Sequence, residues 1–156
     1  MLGYFARRLS ADECAVVLRP RKPPLEVHGP TWVRVFTRWR RVVVVDLRPF
    51  VLTTPPEHVS TADDVPITVA SRIEGQVSSP VDAVMKVADY RDAARTVTRT
   101  AIRAVLKTRS LRELKDDPRR FDADVLAAVR ETVQGWGFHV SAVSTNVDDS
   151  ATASRQ

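Results

Sequence analysis

The sequence predicts one domain that mixes strands and helices and keeps them apart, and three observations predict it. Up to residue 77 the apolar residues alternate or form short blocks, the period of strands. Between residues 79 and 133 they recur every three to four positions behind Ser-Pro and Asp-Pro start signals, the period of helices. From residue 138 alternation resumes, so one strand returns after the helices. A chain of 156 residues is long enough to bury one real core.

Taken in order, residues 14–18 (CAVVL) are a short apolar strand in which Cys14 packs. Residues 19–24 (RPRKPP) read as a stiff basic loop, because three prolines cannot continue a ladder. After a turn at Gly29-Pro30 the chain alternates strictly: Val33, Val35, Thr37 and Trp39 face one way, and Trp32, Arg34, Phe36, Arg38 and Arg40 the other. Residues 42–45 are four valines in a row, a strand buried on both faces for part of its length. Pro55-Pro56 imposes an extended break, and Asp63-Asp64 is turn chemistry. Residues 65–77 alternate again, with Ile67, Val69, Ser71, Ile73, Gly75 and Val77 on one face of an antiparallel strand. Ser79-Pro80 opens a short helix.

The central helix spans residues 90–107. Tyr90, Ala93, Ala94, Val97, Ala101, Ala104 and Val105 share one side at 100° per residue. Arg91, Arg95, Arg99, Arg103 and Lys107 form a row on the other, either a solvated face or a partner surface. Ile102 and Leu106 fall among the cations, and the next helix or another subunit is expected to cover them. Ser110 and Glu113 have capping-box spacing, and Asp117-Pro118 starts the last helix. Its stripe of Phe121, Val125, Leu126, Val129 and Val133 leads to Trp136, expected to be buried where the helix meets the returning strand. The boundaries expected are a leader at 1–11, the domain at 12–148 and a small, polar, disordered tail at 149–156.

Charge is unevenly spread. Residues 1–60 carry ten Lys/Arg against five acids, residues 61–120 twelve against nine and residues 121–156 two against five, so the basic surface is concentrated in the first two-thirds and suits an acidic partner. Three clusters carry that expectation. Leu2, Tyr4 and Phe5 stand beside Arg7 and Arg8 in a segment that is either a membrane-surface contact, a leader or the start of a first strand. Arg19, Arg21 and Lys22 occupy the proline loop. The face of Trp32, Arg34, Phe36, Arg38 and Arg40 combines aromatic and guanidinium groups, which suits a headgroup layer or single-stranded nucleic acid; a loop covering Trp32 and Phe36 is the plainer alternative.

Catalytic chemistry is not visible. Lone Cys14 excludes an internal disulfide and a zinc site built of cysteines. His28, His58 and His139 are scattered, with no metal-ligand spacing. There is no GxGxxG, Walker loop or GxSxG, and no nucleophile has a visible activating partner, so an enzyme, a cofactor and a metal are not expected. No apolar run approaches the roughly 20 residues of a membrane span.

The order of these features is more specific than any one of them. Gly29-Pro30, residues 45–48 (VDLR), 55–57 (PPE), 61–69 (TADDVPITV), 90–95 (YRDAAR), 100–108 (TAIRAVLKT), Ser110-Leu111 and 136–140 (WGFHV) together resemble the SPFH (Band 7) domain of the stomatin and prohibitin superfamily, most of all its stomatin/slipin branch. The resemblance covers residues 12–148. It implies an α+β fold, a strongly curved antiparallel sheet with helices on one face. It also implies a non-enzymatic scaffold at a membrane that oligomerises and organises lipids or a partner membrane protein, commonly a membrane protease. Arg95 and Arg103 match the pattern; Arg91 and Arg99 are extra. Glu74-Gly75 stands where stomatins often carry an aromatic pair, residues 1–9 stand in place of the family's hydrophobic anchor, and the sequence stops before its long charged helix.

The expectation is a peripheral domain at the cytoplasmic inner face of a membrane, contacting anionic lipid through the three early clusters. Arg91, Arg95, Arg99, Ile102, Arg103 and Leu106 are the expected partner or self-association surface, with self-association weak. A soluble interaction module without lipid contact and a single-strand nucleic-acid module are the alternatives, the latter disfavoured.

Overall fold

The computed structural model describes residues 3–36 and 38–149. Its elements run in the order β1 (Tyr4–Leu9), β2 (Glu13–Arg19), β3 (Lys22–His28), β4 (Thr31–Phe36), β5 (Arg41–Asp46), β6 (Phe50–Thr53), β7 (Glu57–Ser60), β8 (Pro66–Val77), α1 (Pro80–Met85), α2 (Tyr90–Leu106), α3 (Leu111–Asp116), α4 (Pro118–Val133) and β9 (Phe138–Asp148). The fold is α+β with antiparallel ladders, as the resemblance implied. The strands are distributed over three sheets, β1-β4, β3-β2-β5 and β6-β8-β7, with β9 pairing to β8. The chain forms two compact units. Unit 1 holds the chain up to Pro49 with Gln76–Tyr90 and Gly135–Phe138; unit 2 holds Phe50–Gly75, Arg91–Gln134 and the chain from His139.

In unit 1 the first two sheets share a core. Leu9, Ala15, Val17, Val33 and Val35 are buried together, with Phe5, Val27, Val42 and Val44 packed against them. This corrects two expectations. Residues 4–9 are not a leader but strand β1, antiparallel to β4 with Tyr4 opposite Phe36 and Leu9 opposite Thr31, because Leu9 and Phe5 have a core to enter. Residues 19–24 are not a loop but a hairpin. β3 is an edge strand, and its register slips between Val17 and Arg19, which lets Pro23 and Pro24 sit where ladder hydrogen bonds are missing. Arg21 takes a left-handed turn conformation at φ 58°.

The Trp-Gly segment docks on the start of α1. Ser78 and Ser79 both donate to the Gly137 carbonyl at 2.9 Å. Gly137 has φ +84°, and a Cβ there would lie 2.3 Å from the Ala83 nitrogen, so only glycine fits. Trp136 is half-buried rather than buried, edge-on to Phe138 at 6.3 Å.

In unit 2, β8 follows the expected parity: Ile67, Val69, Ser71, Ile73 and Gly75 are buried. Pro55-Pro56 separates β6, which pairs with 72–75 of β8, from β7, which pairs with 66–69. Thr54 and Ser71 satisfy each other inside, the hydroxyls 2.8 Å apart and the Ser71 N–H donating to Thr54 Oγ1 at 2.9 Å. The capping box at Ser110 and Glu113 forms, and Asp117 accepts from the Arg120 N–H to start α4. On α4, Phe121, Val125, Val129 and Val133 are buried while Leu126 is half-buried.

The central helix is rotated from the sequence expectation. Its buried residues are Ala94, Thr98, Ala101, Ile102 and Leu106, whereas Ala104 is exposed. Ile102 and Leu106 thus fill the core instead of waiting among the cations. They are the bulkiest aliphatic residues of the helix, and burying them outweighs burying Ala104, while Ala94 and Ala101 stay inside.

Candidate membrane-contact face

The strict alternation over residues 32–36 survives folding. Val33 and Val35 are buried, while Trp32 and Phe36 are 59% and 67% exposed. The plainer expectation, that a loop covers both aromatics, is not met. Pairing of β4 with β1 adds Tyr4 beside Phe36, Ala6 beside Arg34 and Arg8 beside Trp32, so one ladder face carries three aromatics and two arginines. Tyr4 and Phe36 tilt together with ring centroids 5.5 Å apart. The Arg34 guanidinium sits 5.9 Å from the Trp32 ring.

Just past β4, Arg38, Trp39 and Arg40 are all exposed, Trp39 by 72%, and the Arg38 guanidinium lies 5.6 Å from its ring. Trp39 was expected to point inward with Val33 and Val35. The strand ends at Phe36, so alternation no longer governs it. Its place before Arg40-Arg41 in a polar break was the available signal. Among the described residues, none of Arg8, Arg34, Arg38 and Arg40 forms an ion pair.

Other expected contacts lie elsewhere. Phe5 packs into the unit 1 core, and Arg7 is held 2.6 Å from Glu13, so neither belongs to the exposed face. Arg19 spends its Nε and Nη2 on the Pro23 carbonyl, at 3.1 and 2.7 Å, bracing the hairpin. Arg21 and Lys22 are exposed at the tip of that hairpin. Leu2 lies outside the described residues.

The helical cations of unit 2 are not one surface either. Arg99 and Arg103 converge on Glu57 of β7, with 2.9 Å from Arg99 Nε to Glu57 Oε2. Arg91 is exposed and Arg95 half-buried. Ile102 and Leu106 are 4% and 0% exposed and offer no area to another subunit.

A family model described as "SPFH domain / Band 7 family" matches residues 7–154. The chain belongs to the SPFH domain / Band 7 family. Among curated relatives, a stomatin homolog of Pyrococcus horikoshii is 30% identical over 115 residues, 74% of this chain and 43% of that protein. Stomatin-1 of Caenorhabditis elegans is 26% identical over 129 residues, 83% and 39% of the two chains. Stomatin-like protein 3 of Mus musculus is 28% identical over 132 residues, 84% and 46%. The chain is therefore a stomatin-type SPFH domain, and it spans less than half the length of these three relatives. Among the described residues, no helix is long and apolar enough to cross a membrane.

Proposed function

We propose that this SPFH domain is a non-enzymatic scaffold module that attaches peripherally to an anionic membrane through the β1-β4 face. The observation that supports it is the exposure of Tyr4, Trp32, Phe36 and Trp39 among Arg8, Arg34, Arg38 and Arg40, none of which is ion-paired to a carboxylate among the described residues. Each cation near an anionic surface contributes about 1 kcal/mol, screened within a Debye length. The aromatics add apolar burial at the headgroup layer, which salt does not remove. On this reading the domain works at the cytoplasmic inner face of a membrane and organises lipid or a partner membrane protein such as a membrane-bound protease.

Co-sedimentation of the purified chain with phosphatidylserine vesicles, with an oligonucleotide competitor, tests this reading. Binding falls with salt but does not vanish, and Trp32→Ala with Phe36→Ala abolishes the salt-resistant part. Simple phosphate attraction instead loses nearly all binding at high salt and accepts any polyanion. Absent vesicle binding at low salt, alongside tight oligonucleotide binding, would replace the membrane reading with a nucleic-acid one.

A further inference from the structure

The β2-β3 hairpin brings Cys14 of one strand to Glu26 and His28 of the next. Cys14 lies directly across from His28, which puts both side chains on one face, and Glu26, two positions before His28, shares that face. Cys14 Sγ, one Glu26 carboxylate oxygen and His28 Nε2 all lie within 4.8 Å of one another. His28 Nε2 is 3.9 Å from the sulfur and 3.2 Å from Glu26 Oε2. Around a tetrahedral ion, bond lengths of about 2.0–2.3 Å place nitrogen, oxygen and sulfur ligand atoms roughly 3.3–3.5 Å apart, so the His28–Glu26 pair is already at that spacing and side-chain movements of up to about an ångström bring the sulfur in.

The arrangement is not that of a nucleophile with its base. In a relay the imidazole uses one nitrogen for the nucleophile and the other for the orienting carboxylate. Here sulfur and carboxylate both address Nε2. That nitrogen can donate to the carboxylate or accept from the thiol, not both, and a cation between the three resolves the conflict. Cys14 is wholly buried, which also bars a bulky substrate, whereas the His28 and Glu26 side chains are 55% and 34% exposed and leave an ion a way in. The remaining Glu26 oxygen accepts from the Val81 N–H at 3.4 Å, which turns Oε2 toward the site as an outer-shell partner would.

We propose that Cys14, Glu26 and His28 bind a divalent ion of the zinc type, with water completing the shell. Thiolate, imidazole and carboxylate together suit zinc or cobalt better than magnesium or calcium, which take oxygen ligands. Burial, then the Glu26 charge, push the Cys14 thiol up from its ordinary range. Three ligands bridging two strands make the ion a clamp on the hairpin.

Chelator-treated full chain titrated with Co²⁺ tests the site. One equivalent is expected to produce an intense thiolate-to-cobalt charge-transfer band, absent in Cys14→Ser. Since Cys14 is buried, the deciding variants are His28→Asn and Glu26→Gln at the exposed rim, each expected to weaken binding by at least about tenfold. His58→Asn, in β7, serves as a control that leaves the titration unchanged. A wild-type chain without the thiolate band overturns the proposal, and so does an affinity unmoved in both rim variants.

Discussion

Two arginine-bearing surfaces of this chain read almost alike in sequence and differ once folded. On β4 of unit 1 the arginines alternate with aromatics, and the described ladder face holds no acid; on α2 of unit 2 Arg99 and Arg103 share Glu57. Glu57 comes from a strand 42 residues away from Arg99, and only pairing of β7 with β8 delivers it. Periodicity shows where a cation points. Whether it is available depends on which carboxylate another element brings, and that is why the β1-β4 face, and not the helix, is the better candidate for an anionic partner.

The strongest way to break this comparison is at Leu106. Leu106→Ala removes a side chain with no exposure and should cost ~2–5 kcal/mol in denaturant unfolding. Light scattering at micromolar concentration should show the same low mass for variant and parent. Unchanged stability with a lower mass would return α2 to the role of a subunit contact.

A smaller effect sharpens it. Glu57→Gln leaves two half-exposed guanidiniums without their carboxylate and should cost about 1 kcal/mol, since partly exposed pairs contribute little. Vesicle binding should not change. A clear rise would mean that the helix is a latent lipid surface held in check by Glu57.

The smallest expected effect concerns the aromatics. Trp32→Ala with Phe36→Ala should shift stability by no more than about 0.5 kcal/mol per substitution, because both rings stand in solvent. A loss of several kcal/mol on thermal melting would show that they pack, and the membrane-contact face would lose its basis.

Much of the architecture was legible from residue order. The β8 parity, the capping box at Ser110 and Glu113, the Asp117-Pro118 start and the returning β9 strand follow from local chemistry, namely period, caps and turn geometry. The alternation of Trp32, Val33, Arg34, Val35 and Phe36 determined the aromatic face in the same way, since a strand fixes which side chains share a side. Tertiary structure decided the rest. Small alanines and bulkier Ile102 and Leu106 sit on neighbouring faces of one helix, and only the space left in the core selects the rotation of α2. The proline hairpin could not be seen because three prolines argue against a strand unless it is an edge strand, and edge position is a property of the sheet. For the same reason Cys14, Glu26 and His28 looked scattered: their meeting depends on strand register, which is set by long-range pairing and not by spacing along the chain.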